Sequence, residues 1–271
     1  VSIYRALFSI AFQQHLQYRV AAVAGAVTNI AFGFFRIFLL TAFYSAAAAS
    51  QPMTLAQVYS YIWFGQVLFG VLPLTGLMGP DADEIRSGDI AYRLTRPVSL
   101  WGFTYARALA QKAAALASRS LVQIAVLFAL LPALGLHRFS MGLPVLNQLP
   151  FLAASLALTV LLSAALHSVV TMSSFWTISP RGSASLAYAV ISLFSGLLVP
   201  LAFFPPTLRG LADLLPFRAV YDTPAMLYAG TLTVRQACLG LGHQIIWLGA
   251  TIALGAWLAR RGTARLEVAG G

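Results

Sequence analysis

Four acids and three arginines crowd the stretch Asp81–Leu100, DADEIRSGDIAYRLTRPVSL, in a chain that otherwise carries few charges. Two chemistries suit that composition. Asp81, Asp83 and Glu84 are hard carboxylate ligands set close together beside arginines, the groups that a magnesium ion and a pyrophosphate require. Sites of that kind draw on a second acidic cluster, and the acids outside the stretch are Asp213, Asp222 and Glu267. The other chemistry is recognition. Charged side chains around a modest apolar stripe, Ile85, Ile90 and Leu94, suit a groove on a soluble partner.

Other catalytic signatures are missing from the sequence. No glycine-rich loop followed by Lys-Ser or Lys-Thr occurs, so this chain is not itself a P-loop ATPase. The histidines at 15, 137, 167 and 243 lack metal-ligand spacing. Cys238 is the single cysteine, which excludes an internal disulfide and a cysteine-based metal cluster. Ser195-Gly196-Leu197 is not a nucleophile elbow. No metal site and no cofactor are expected in this chain.

The elements that must position the charged stretch are apolar. Hydrophobic residues make up 59% of the chain and charged ones 9%, against about 25% charged in an ordinary soluble domain. This composition predicts a multi-span, all-α integral membrane protein forming one transmembrane domain over residues 1–271. The net charge of +10 does not signal nucleic-acid binding. The basic residues sit at the ends of apolar runs rather than in a patch with interleaved aromatics.

Residues 1–19 read as an amphipathic helix along the membrane surface, with Ser2, Arg5, Ser9, Gln13 and Gln17 on one face. Gln13-Gln14-His15 interrupts the run, which argues against a signal peptide. Six spans are predicted, at Val20–Tyr44, Val58–Gly79, Ala114–Leu136, Phe151–Phe175, Ser183–Leu201 and Ala237–Leu258. Arg36 lies inside the first, where it either faces a functional path or snorkels to the outer headgroups. Gln66 and Pro73 interrupt the second. Asp81 and Glu84 have capping-box spacing, so a helix is expected from Pro80-Asp81 to Arg96-Pro97, weakened at Gly88. Residues 203–230 are apolar but broken by prolines and charges, which predicts short re-entrant helices.

With both ends inside, the inner segments hold Arg5, Arg19, Arg86, Arg93, Arg96, Arg107, Lys112, Arg119, Arg181, Arg260, Arg261 and Arg265. The outer ones hold only Arg138, Arg209, Arg218 and Arg235, so the positive-inside rule places both termini in the cytoplasm. No acid falls within a predicted span, which disfavours a proton-coupled carrier.

Two passages then carry a resemblance. GDIAYRLTRPVSL, Gly88–Leu100, is similar to the Gly…Leu-x-Arg-Pro signature of a compact, six-span bacterial branch of type-2 ABC exporter permeases. SGLLVPLAFFPPTLRGLADLLPF, Ser195–Phe217, resembles that family's Gly-x-x-x-Pro-x-x-x-x-Pro run ending in Leu-Pro-Phe. Their order in a six-span frame covers essentially the whole chain.

The resemblance implies a non-catalytic subunit in the bacterial inner membrane. It would pair with a second, identical or homologous permease chain, contact membrane lipid and dock a cytoplasmic ABC ATPase that holds the ATP and magnesium. A coupling helix would occupy 81–98, with Asp81, Asp83, Glu84, Arg86, Asp89, Arg93 and Arg96 as ATPase contacts. Gly25 and Gly33 would lie at the dimer seam. Arg36, Gln66, Phe69, Ser192 and Ser195 would line the translocation path, and Pro200, Pro205 and Pro216 would set the breaks of an outer gate. The apolar, aromatic-rich spans suit an amphipathic or lipophilic cargo. A magnesium-dependent enzyme of lipid metabolism and a proton-coupled carrier stand as alternatives.

Overall fold

The computed structural model describes residues 2–17, 19–46, 51–72, 80–88, 90, 98–136, 139 and 141–265. No strand occurs among them. The amphipathic helix α1 (Ser2–Gln17) leads into α2 (Arg19–Ala46), and a Thr54–Gln57 capping box opens α3 (Leu55–Leu68). The charged helix α4 (Pro80–Ser87) follows, and Ser99 caps α5 (Leu100–Ala125), which continues through a π-helical turn to Ala133. Next come α6 (Leu149–Met172), α7 (Pro180–Phe194), the short α8 (Pro206–Leu214) and α9 (Asp222–Tyr228), and α10 (Val234–Thr263).

Among the described residues, Val23–Ala46, Leu100–Ala133, Leu146–Phe175 and Val234–Thr263 are long and apolar enough to cross a membrane. The second and fifth predicted spans differ from expectation. α3 has 14 residues before a 3-10 turn, Phe69–Val71, and α7 has 15. At ~1.5 Å per residue neither reaches across a ~30 Å core. α7 stops where Gly196 takes φ 86° and Pro200 follows, a left-handed position that suits glycine. α4 likewise stops at Gly88, φ 84°, short of the predicted end at Arg96, and residues 91–97 lie outside the described part.

The short α3 is the centre of the molecule. It is buried without a break from Val58 to Leu68, as expected of a helix that is apolar all round. Phe34 of α2 meets Trp63 edge-on at 5.1 Å, and Phe64 stacks on Tyr228 of α9 at 4.4 Å. A Cβ on Gly33 would stand 2.3 Å from the Trp63 ring, so this glycine serves the α2–α3 contact within the chain. Gly25 is half-buried on the same helix.

A helix that ends inside a membrane protein leaves carbonyls that water cannot reach. Here α5 and α6 supply the donors. Ser120 Oγ donates to Val67 O at 3.0 Å, Ser163 Oγ to Val71 O, and Lys112 Nζ to Leu72 O at 2.6 Å. The sequence reading counts Lys112 among the inner surface charges. In the fold it is fully buried, because its ammonium caps the broken end of α3.

Lys112→Met keeps the bulk and removes the donor, leaving a buried carbonyl short of a partner at a cost of about 1–3 kcal/mol. Thermal unfolding of the purified protein in detergent should show a lower midpoint; an unchanged midpoint would rule out the capping role.

Candidate functional site

Two polar regions stand out, one at α4 and one against the middle of α3. The first is α4, whose inner face is apolar. Ala82 and Ile85 are buried, and Ile85 and Ile90 cluster with Leu100 of α5, Met172 of α6 and Ala259 of α10. Trp101, Phe175 and Leu258 pack around that cluster. The helix therefore rests on the ends of three long helices.

Asp81 strengthens the seat. Its carboxylate is buried and accepts from Arg107 of α5 at 2.9 Å. It thus faces inward, toward α5. Asp83 is exposed and lies 3.9 Å from Arg181 at the start of α7, and Glu84 is half-exposed. An exposed pair of that kind contributes ~1 kcal/mol at most. Arg86 belongs to α4, its side chain not among those described, and Asp89, Arg93 and Arg96 lie outside the described residues.

The second region surrounds the turn after α7. Tyr61 of α3 donates to Asp222 Oδ1 at 2.9 Å and to Gly196 O at 3.1 Å. The Asp222 amide donates to Ser195 O at 3.0 Å. Arg218 pairs with Asp213 and lies 3.9 Å from the second Asp222 oxygen. Gln244 of α10 reaches across to Ala219 O at 2.8 Å and Thr159 Oγ1 at 3.1 Å. The segment after α7 is thereby tied to α3, α6 and α10. Burial pushes the Asp222 carboxyl above the ordinary carboxylate range, while Arg218 and the Tyr61 hydroxyl pull it back.

Arg36 approaches the same network from α2, and its charge bears on the Tyr61 and Tyr221 hydroxyls. It also lines a cavity of about 310 Å³ with Leu39, Phe43, Tyr44, Leu198 and Phe203. The other expected path residues do not line that cavity. Gln66, Ser192 and Ser195 are buried, Phe69 packs partly against the core, and Ser195 Oγ accepts from the Leu197 amide at 3.3 Å. Pro200 and Pro216 are buried at the starts of 3-10 turns, and exposed Pro205 precedes α8.

The family profile described as "ABC-2 family transporter protein" matches residues 30–270 of this sequence. The chain belongs to the ABC-2 transporter family. It is a membrane-embedded permease subunit of a type-2 ABC transporter, a transport component. No curated protein matches it.

Sequence reasoning about this permease missed Tyr61, Lys112 and the Asp222–Arg218 pair. The last carries a signal, since the two residues are four apart in a segment too apolar to leave charges unpaired. Asp81 is engaged with Arg107, so one carboxylate that a magnesium site would need is already occupied.

Arg218→Met should strand the buried Asp222 carboxylate and cost about 3 kcal/mol, and adding Asp222→Asn should recover part of that loss. A carboxyl whose folded pKa exceeds its unfolded value favours the fold at low pH and loses that contribution as pH rises through the folded pKa. Unfolding midpoints of the single variant should therefore fall further behind the parent as pH rises through the raised Asp222 pKa.

Proposed function

We propose that this permease is the membrane half of an ATP-driven exporter and that α4 is its coupling helix. The seating of α4 is the observation that supports the reading: its inner face lies on α5, α6 and α10, Arg107 bolts Asp81 to α5, and Asp83 and Glu84 remain toward solvent. A displacement applied to the solvent side of such a helix is delivered to three long helices at once.

In this reading the short α3 and α7 count as the second and fifth of six spans, and both termini are cytoplasmic. Two permease chains pair in the bacterial inner membrane, and each docks an ABC ATPase that binds ATP and magnesium. Closure of the ATPases pushes α4. The motion passes along α3 to the Tyr61–Asp222 contact and loosens the segment from Pro200 to Pro216, which acts as the outer gate. The cargo is amphipathic or lipophilic and moves past Arg36 at the cavity between α2 and Leu198–Phe203.

Asp83→Ala with Glu84→Ala should leave the chain in the membrane and fold-competent, because Asp83 is exposed and Glu84 only half-buried. The double variant should lose the ATPase on co-purification in mild detergent; an intact complex would sink the coupling assignment. Cys238, the single cysteine, is exposed near the start of α10 and tests the orientation separately. A membrane-impermeant thiol reagent should label it on intact cells, and labelling only after lysis would invert the topology.

A further inference from the structure

A second cavity, of about 250 Å³, lies between α8, the Pro216–Val220 turn, α9 and the first turns of α10. Leu201 and Ala202 face it, while Leu198 and Phe203 from the same stretch face the Arg36 cavity. Its polar lining includes Arg209, Asp213, Arg218, Asp222, Thr223 and His243. The two carboxylates share Arg218.

What remains around the cavity is a set of unspent donors. Arg209, on α8, is exposed and forms no ion pair among the described residues. The Thr223 hydroxyl is buried, its residue 1% exposed, and has no hydrogen-bond partner. A buried hydroxyl without a partner costs free energy unless something satisfies it. The His243 ring lines the same cavity beside the Asp213 backbone. One wall is apolar, with Met226 and with Leu239, which is 64% exposed on the outside of α10. The volume falls below the ~300–1,000 Å³ of pockets that swallow whole drug-sized ligands. It matches a headgroup whose chain trails out over Leu239.

We propose that this cavity binds the phosphate of an anionic ligand through Arg209, Thr223 and His243. The chemistry is that of a phosphate oxyanion, whether free or carried on an amphiphile. The site stands on the geometry of this face alone, and only its assignment to the outer leaflet rests on the topology proposed above.

The test uses the purified full chain in nanodiscs of zwitterionic lipid, without ATPase or transport, so its failure would not touch the exporter reading. Inorganic phosphate and dihexanoyl phosphatidylglycerol are titrated in parallel. Trp247, whose ring lies 6.4 Å from that of His243, provides the fluorescence signal, defined as the part lost in Trp247→Phe. Dihexanoyl phosphatidylglycerol should bind, and Arg209→Gln and Thr223→Val should each weaken it tenfold or more. Binding of inorganic phosphate with the same dependence on Arg209 would place recognition in the phosphate itself; binding of the lipid alone would show that the apolar wall contributes, and both outcomes support the site. No signal with either probe, or equal affinity in Arg209→Gln, would overturn it. Arg209 is exposed, so that variant remains informative even if Thr223→Val fails to fold.

Discussion

Everything in this molecule depends on satisfying the backbone of a helix that stops inside the protein. In a membrane interior an unpaired carbonyl has no water to turn to, so a spanning element must either continue or be met by donors. α3 does not continue. Val67 O near its end, and Val71 O and Leu72 O of the turn that follows, are met by Ser120, Ser163 and Lys112 from two neighbouring helices. The donors fix the relative depth of α3, α5 and α6 more tightly than apolar packing would, because hydrogen bonds are directional and dispersion contacts are not.

α3 is also the link between the two polar regions. Its capped end precedes α4 by the residues 73–79, and α4 is in turn fastened to α5 through Asp81 and Arg107. Higher on the same helix, Tyr61 grips Asp222 and the Gly196 carbonyl, where α7 gives way to the broken segment. A single buried rod therefore holds the interrupted segment through Tyr61 and, through the turn that follows it, the helix α5 to which α4 is fastened. Gly33 and Gly65 let neighbours close in on it, the first under the Trp63 ring and the second under the Tyr221 hydroxyl.

Much of the architecture was legible in the sequence because it follows from local rules. The long apolar runs, the start of α4 at Pro80 and the broken stretch after α7 are where composition and punctuation place them. The depth of α3 was not legible. Gln66 and Pro73 marked an interruption, yet the partners that make a stop possible are 40 to 92 residues away in sequence. The same holds for Asp81, which reads as a surface cap until Arg107 of another helix turns it inward. Gly33 belongs to a small-residue strip that suits any close helix contact, and only the fold shows that Trp63 of the same chain fills it. Asp222 lies in a segment whose prolines and charges look peripheral, and its burial is imposed by α3 and α10.

The buried Lys112 also bears on how the chain enters the bilayer. A lysine at the centre of an inserting helix costs ~2.5–3.5 kcal/mol on insertion scales, so α5 carries a handicap that its apolar residues alone must overcome when it leaves the translocon. The carbonyl that relieves the handicap belongs to α3, which is synthesised first, whereas Ser163, which completes the same break, arrives only with α6. Insertion and folding are therefore interleaved: α3 and α5 reach their final depth as a pair, and the pair is finished when α6 joins. Biogenesis of this part of the fold is a three-helix event rather than a succession of independent crossings.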